Sequence, residues 1–90
     1  MTKHEFEATA ICPVDGSTDR YQVTVQTVDD VHVEVLLDAA KALSDKRIIQ
    51  EEFTRQLFAA VCNHGVVITT VGTHSGVRTT CTMPVCNWGR

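Results

Sequence analysis

Val31-His32-Val33-Glu34-Val35-Leu36-Leu37-Asp38-Ala39-Ala40-Lys41-Ala42-Leu43 changes its repeat partway along. Val31, Val33 and Val35 alternate with His32 and Glu34, which is the period of a strand. Leu36, Ala39, Ala40 and Leu43 then fall at i, i+3, i+4 and i+7, which is the period of a helix with one buried stripe. The spacing predicts that a helix takes over at Leu36.

Downstream, Ser44-Asp45-Lys46-Arg47 reads as a link to a second helix, from about Ile49 to Cys62, with Phe53, Leu57, Ala60 and Val61 as its apolar stripe. Asn63-His64-Gly65 supplies the stop, because glycine accepts the left-handed conformation that commonly follows a helix. Upstream, Phe6 to Cys12 alternates weakly and ends at Pro13, and Tyr21 to Val28 alternates clearly. Beyond the helices, Val66 to Val71 is a continuous β-rich run. Val77 to Met83 alternates again after Ser75-Gly76, a natural hairpin turn.

The order is strand, strand, helix, helix, strand, strand over residues 1–90, read as a single α+β domain. Its expected form is one antiparallel four-stranded sheet with both helices on one face. Four short strands leave hydrogen-bonding edges, so a symmetric homo-oligomer is expected.

Eight basic against eleven acidic residues give a net charge of −3, without the broad positive footprint of a protein that grips a phosphate backbone. A nucleobase or nucleoside fits this balance better than a duplex. No leader-like segment and no apolar run long enough for a bilayer is legible, so a cytoplasmic protein without a membrane partner is expected. Cys12, Cys62, Cys81 and Cys86 are accordingly read as free thiols. No C-x-x-C pair occurs, so no metal site is expected. Cys62 and Cys81 fall at or near apolar positions and read as core.

Cys12-Pro13-Val14-Asp15-Gly16-Ser17-Thr18-Asp19 carries the chemistry. It sets a thiol at a strand end and a carboxylate seven residues later, across a turn rich in Pro, Asp and Gly that can bring the chain back. A thiolate attacks electrophilic carbon, and a nearby carboxylic acid can deliver the proton that an attacked nitrogen needs. Either residue alone reads as something plainer: a small buried hydrophobe for Cys12, a turn residue for Asp19.

C-P-x-x-G-x-x-D, matched at Cys12, Pro13, Gly16 and Asp19, resembles the active-site segment of the QueF-type nitrile reductases and their QueF-like amidinotransferase relatives, a tunnelling-fold (T-fold) family. The resemblance implies that Cys12 adds to the nitrile of 7-cyano-7-deazaguanine to form a thioimidate, with Asp19 as acid and base. It implies a ring-closing oligomer. It also makes Glu51, in Gln50-Glu51-Glu52-Phe53-Thr54, the carboxylate that anchors the ring, a role suited to paired N–H donors. Glu51 would equally favour a helix N-terminus. Cys86-Asn87-Trp88-Gly89-Arg90 is similar to a stretch late in the reductases.

Two departures bear on activity. The reductases carry a Glu-Ser-Lys-Ser/Ala-x-Lys motif for NADPH, where this chain reads Glu34-Val35-Leu36-Leu37-Asp38-Ala39-Ala40-Lys41. Their Phe-His-Glu triplet is here Ile49-Gln50-Glu51, which puts Gln50 at a substrate-binding position. The resemblance therefore implies an amidinotransferase without cofactor that joins ammonia or another amine donor to the thioimidate, giving an archaeosine-type amidine. The base would be free, a nucleotide, or part of tRNA or DNA. The alternatives are NADPH-dependent reduction and a noncatalytic purine-binding subunit. His74, in the connection between the last two strands, is a further candidate substrate contact.

Overall fold

The computed structural model describes residues 1–62 and 66–84. Its elements are β1 (Thr2–Ile11), β2 (Thr18–Thr27), α1 (Val33–Lys41), α2 (Gln50–Val61), β3 (Val66–His74) and β4 (Val77–Met83). The strands form one antiparallel sheet in the order β1-β2-β3-β4, with α1 packed on β1 and α2 on β3 and β4.

Side chains of a strand point alternately to the two faces, and the buried ones mark the helix-covered face. They are Ala8 and Ala10 of β1, Tyr21, Val23, Val25 and Thr27 of β2, and Val66, Ile68 and Thr70 of β3. Leu36 and Ala40 of α1 and Phe53, Leu57 and Val61 of α2 close over them. Burying each large apolar side chain contributes about 1.5–3 kcal/mol. The Phe53 ring packs on Tyr21 with centroids 4.9 Å apart and planes tilted by 46°.

The ββααββ order and the single covered face agree with expectation; five local readings change, the first being that β3 runs past Val71 to His74, which lies in the strand and not in the connection. β1 and β2 are longer than their alternation indicated, because they pair along their whole length, from Thr2↔Thr27 to Ile11↔Thr18. The first helix starts at Val33, not Leu36, and leaves Val33 51% and Val35 41% exposed. Valine's helix penalty is a fraction of a kcal/mol, less than the gain from docking Leu36, Ala40 and Leu43 as one face, while Glu34 suits the first turn. On α2 the buried stripe includes Thr54 and leaves Ala60 exposed. Cys62 is exposed rather than core: it follows Val61 by one residue, about 100° around the helix from the buried face. Its thiol turns to the Ala59 carbonyl at 3.7 Å.

Ser75 and Gly76 form the β3–β4 turn with φ of 52° and 80°, the double positive φ that suits two-residue hairpins. The readings placed on Asn63-His64-Gly65 and on Cys86 to Arg90 lie outside the described residues. No helix among the described residues is long and apolar enough to cross a membrane.

Candidate active site

Three remote segments meet at one end of the sheet. β1 ends at Ile11, whose N–H donates to the Lys46 carbonyl at 3.0 Å and which bridges to Arg47. The link between the helices is thereby tied to the end of the first strand. The chain then reverses in a tight turn: the Gly16 N–H donates to the Cys12 carbonyl at 2.9 Å, and the Cys12 N–H to the Ser17 carbonyl at 2.7 Å. Gly16 adopts φ 76°, a left-handed conformation that glycine takes without strain. The Arg47 guanidinium lies 3.3 Å from where its Cβ would be.

This turn returns the chain so that Ala10 pairs with Asp19. Cys12 and Asp19 both line a cavity of about 230 Å³, together with Tyr21, Gln50 and His74. Such a volume is below the roughly 300–1,000 Å³ of drug-sized sites, which suits a single heterocycle. Of the five residues singled out from the sequence, four open onto this cavity. Glu51 does not line the cavity of its own chain; it is exposed in the first turn of α2, with its charge acting on Arg55 and on the Cys81 thiol.

The floor of the cavity comes from strand register. Tyr21 pairs with Gly72, and Gly72 with Thr79. A Cβ on Gly72 would meet Tyr21 Cδ1 at 2.8 Å and Gln50 Oε1 at 3.2 Å, so only glycine lets both side chains lie over the sheet. Because Tyr21 is held against Phe53, its ring cannot swing aside freely. A Gly72→Ala protein is expected to lose about 1–3 kcal/mol of stability, read as a lower urea midpoint. An unchanged midpoint would show that the ring yields.

Burial pushes the Tyr21 phenol up to about 12, and the Asp19 carboxylate beside it adds to the rise. Tyr21 is thus a neutral hydroxyl next to Asp19. It is the chain's single tyrosine, so phenolate absorbance reads it alone. The expected midpoint lies well above the ordinary 10. Since the unfolded chain ionises first, this contribution to stability is complete below pH 10 and is lost as pH rises towards about 12. A midpoint at 10 in the folded protein would remove Asp19 and burial as influences on the ring.

Asp15, which the sequence marks only as turn chemistry, braces the loop that carries Cys12. Its Oδ1 accepts from the Ser17 N–H at 2.9 Å and the Ser17 hydroxyl at 2.7 Å. These bonds, with a further contribution from the Cys12 thiol, hold its carboxyl down at about 2. Asp15 stays ionised and fixes the turn that presents Cys12, a role that its x position in the motif gave no sign of.

Gln50 is the most firmly held side chain of the site. Its Nε2 donates to the Thr79 carbonyl at 2.9 Å, the Thr70 carbonyl at 3.1 Å and Thr70 Oγ1 at 3.2 Å. These bonds join the start of α2 to both β3 and β4.

No family model matches the sequence, and no curated protein matches it. Among solved structures, the archaeosine synthase QueF-Like in its apo form is similar, with a TM-score of 0.82 at 17% identity, over 90% of this chain and 88% of that one. At that identity the likeness is one of fold: the chain has the ββααββ T-fold arrangement.

Proposed function

We propose that this chain converts the nitrile of a 7-cyano-7-deazaguanine into an amidine through a covalent intermediate on Cys12. The observation that carries the reading is that Cys12 and Asp19, seven residues apart, open onto one heterocycle-sized cavity floored by Tyr21 and Gly72. The QueF-like fold neighbour supports the same class of chemistry.

In this reading the Cys12 sulfur bonds to the nitrile carbon while one C–N π bond breaks, and its electron pair moves to nitrogen. Asp19 takes the thiol proton and delivers it to that nitrogen, leaving a thioimidate. Ammonia, or the amine of another donor, adds to the same carbon. The added amine gives up a proton, which Asp19 passes to the departing sulfur as the C–S bond breaks, releasing the amidine and restoring the thiol. The sum is nitrile plus ammonia to amidine, with no electron transfer.

Reduction of the thioimidate would need hydride from NADPH and fixed positive charge for its phosphates. The residues of α1 do not fit that need: Val33, Val35 and Leu37 occupy exposed positions, and Lys41 in the last turn is its single basic residue. Glu51 can hold the ring only if a second copy brings it to the cavity. Mixing inactive Cys12→Ala and Glu51→Ala proteins tests this, and recovered activity is expected.

The function itself is tested by incubating the nitrile base separately with ammonia, glutamine and NADPH, followed by mass spectrometry of protein and products. A substrate-mass adduct on Cys12 and an amidine product are expected. An aminomethyl product would identify the reductase instead, and binding without any adduct would identify a noncatalytic subunit.

A further inference from the structure

The Gln50 amide sits in a closed ring of hydrogen bonds whose directions are fixed. The Thr54 hydroxyl donates to the Gln50 backbone carbonyl at 2.8 Å. Its single proton is thereby used, so in the 2.6 Å contact between Thr54 Oγ1 and Thr70 Oγ1 the donor is Thr70. The Thr70 hydroxyl, its own proton now committed, can only accept from Gln50, whose Nε2 lies 3.2 Å away. The carbonyls of Thr70 and Thr79 are acceptors by nature and take the same amino group. Both Gln50 N–H bonds therefore point into the sheet. The amide oxygen is left over Gly72 on the cavity side, beside Tyr21.

We infer that Gln50 offers the ligand a fixed hydrogen-bond acceptor and no donor, that Thr54 and Thr70 are the positioning residues that hold it so, and that the ligand edge meeting it carries an N–H. The inference rests on reading the cavity as a nucleobase site, and it sets that site's selectivity. An edge bearing a ring N–H or an exocyclic amine is accepted. An edge with only lone pairs would face the amide oxygen and leave two acceptors opposed, which costs more than a hydrogen bond gains. Thr54 and Thr70 are fully buried in the apolar core around Phe53 and Ile68. Polar groups are retained in such surroundings when they are fully satisfied; here the two hydroxyl protons go to the Gln50 backbone carbonyl and to Thr54 Oγ1, which leaves Thr70 Oγ1 as an acceptor facing the Gln50 amide.

The test separates positioning from stability by measuring affinity and unfolding together. Binding of the 7-cyano-7-deazaguanine base is titrated calorimetrically on a Cys12→Ala background, where covalent capture does not contribute. Gln50→Leu is expected to weaken binding at least tenfold. Thr54→Val is expected to weaken it about three- to tenfold, the span of one net hydrogen bond, with Thr54→Ser restoring it. Without ligand, ¹H–¹⁵N spectra should show both Gln50 side-chain amide protons exchanging slowly, and one of them exchanging faster in Thr54→Val.

A Thr54→Val protein that melts earlier but binds as the parent does would overturn the inference, leaving the threonine pair a core feature only. So would Gln50→Leu binding unchanged. Because wild-type adduct formation is scored separately, an adduct that forms regardless of Gln50 removes this inference and leaves the proposed function standing. Weakened binding in the variants without any wild-type adduct does the reverse.

Discussion

A Cys12→Ala protein should fold, bind the nitrile base and do nothing further to it. Cys12 is 6% exposed at the end of β1, and the bonds that shape its loop are made by its backbone N–H and carbonyl, which alanine keeps. The loss is of the sulfur alone. A nucleophile that forms the covalent intermediate cannot be bypassed by its neighbours, so turnover should fall on the order of 10⁴-fold or more, and the adduct should vanish from the intact mass. Cys12→Ser should behave in the same way, because a hydroxyl near neutral pH is a far weaker nucleophile than a thiol. Wild-type turnover in Cys12→Ala would sink the mechanism.

Asp19→Asn is expected to lower the rate about 10²–10⁴-fold, the usual worth of a positioned acid and base, with little change in affinity. The amide fills the same volume but cannot shuttle a proton. The substitution also carries its own control. Asp19 raises the Tyr21 phenol by charge and hydrogen bonding, after burial; removing that charge should bring the phenol midpoint down from about 12 while the ring stays packed on Phe53. A shifted phenol with an unchanged rate would place Asp19 beside the ring and exclude it from proton transfer.

Periodicity exposed the fold because the chain relies on it almost everywhere. The alternation around Val23 and the helical spacing of Leu36, Ala40 and Leu43 survive in the structure; around Val77 the strand forms, but its first four residues are all exposed and no alternation of burial appears there. It failed at Val33 and Val35, where a strand-like alternation too short to form a strand was absorbed into the first turn of α1. The loop motif located Cys12 and Asp19 because their relation is local. Motif position also named Gln50, but the threonines that support it were beyond such reading. Thr54 and Thr70 are sixteen residues apart and meet only when α2 docks on β3, and a threonine inside a helical stripe carries no sign of its partner. Glu51 shows the converse limit: motif position named it, yet the fold of one chain turns it outwards.

The tie between Ile11 and Lys46 has a consequence for the order of folding. The β1–β2 hairpin is a local pairing across a six-residue loop, and hairpins close in microseconds. The reactive loop at its tip is nevertheless braced by a segment some thirty-five residues further on, and the cavity also needs Gly72 and Thr79 from the last hairpin. Such distant contacts form late, since the entropy of closing the intervening chain must be overcome first. A ribosome-bound or half-folded chain thus has a hairpin bearing a thiol but no walls around it. Under the proposed function, chemical competence would wait for those late contacts, and a half-folded chain would offer no shaped site to a ligand.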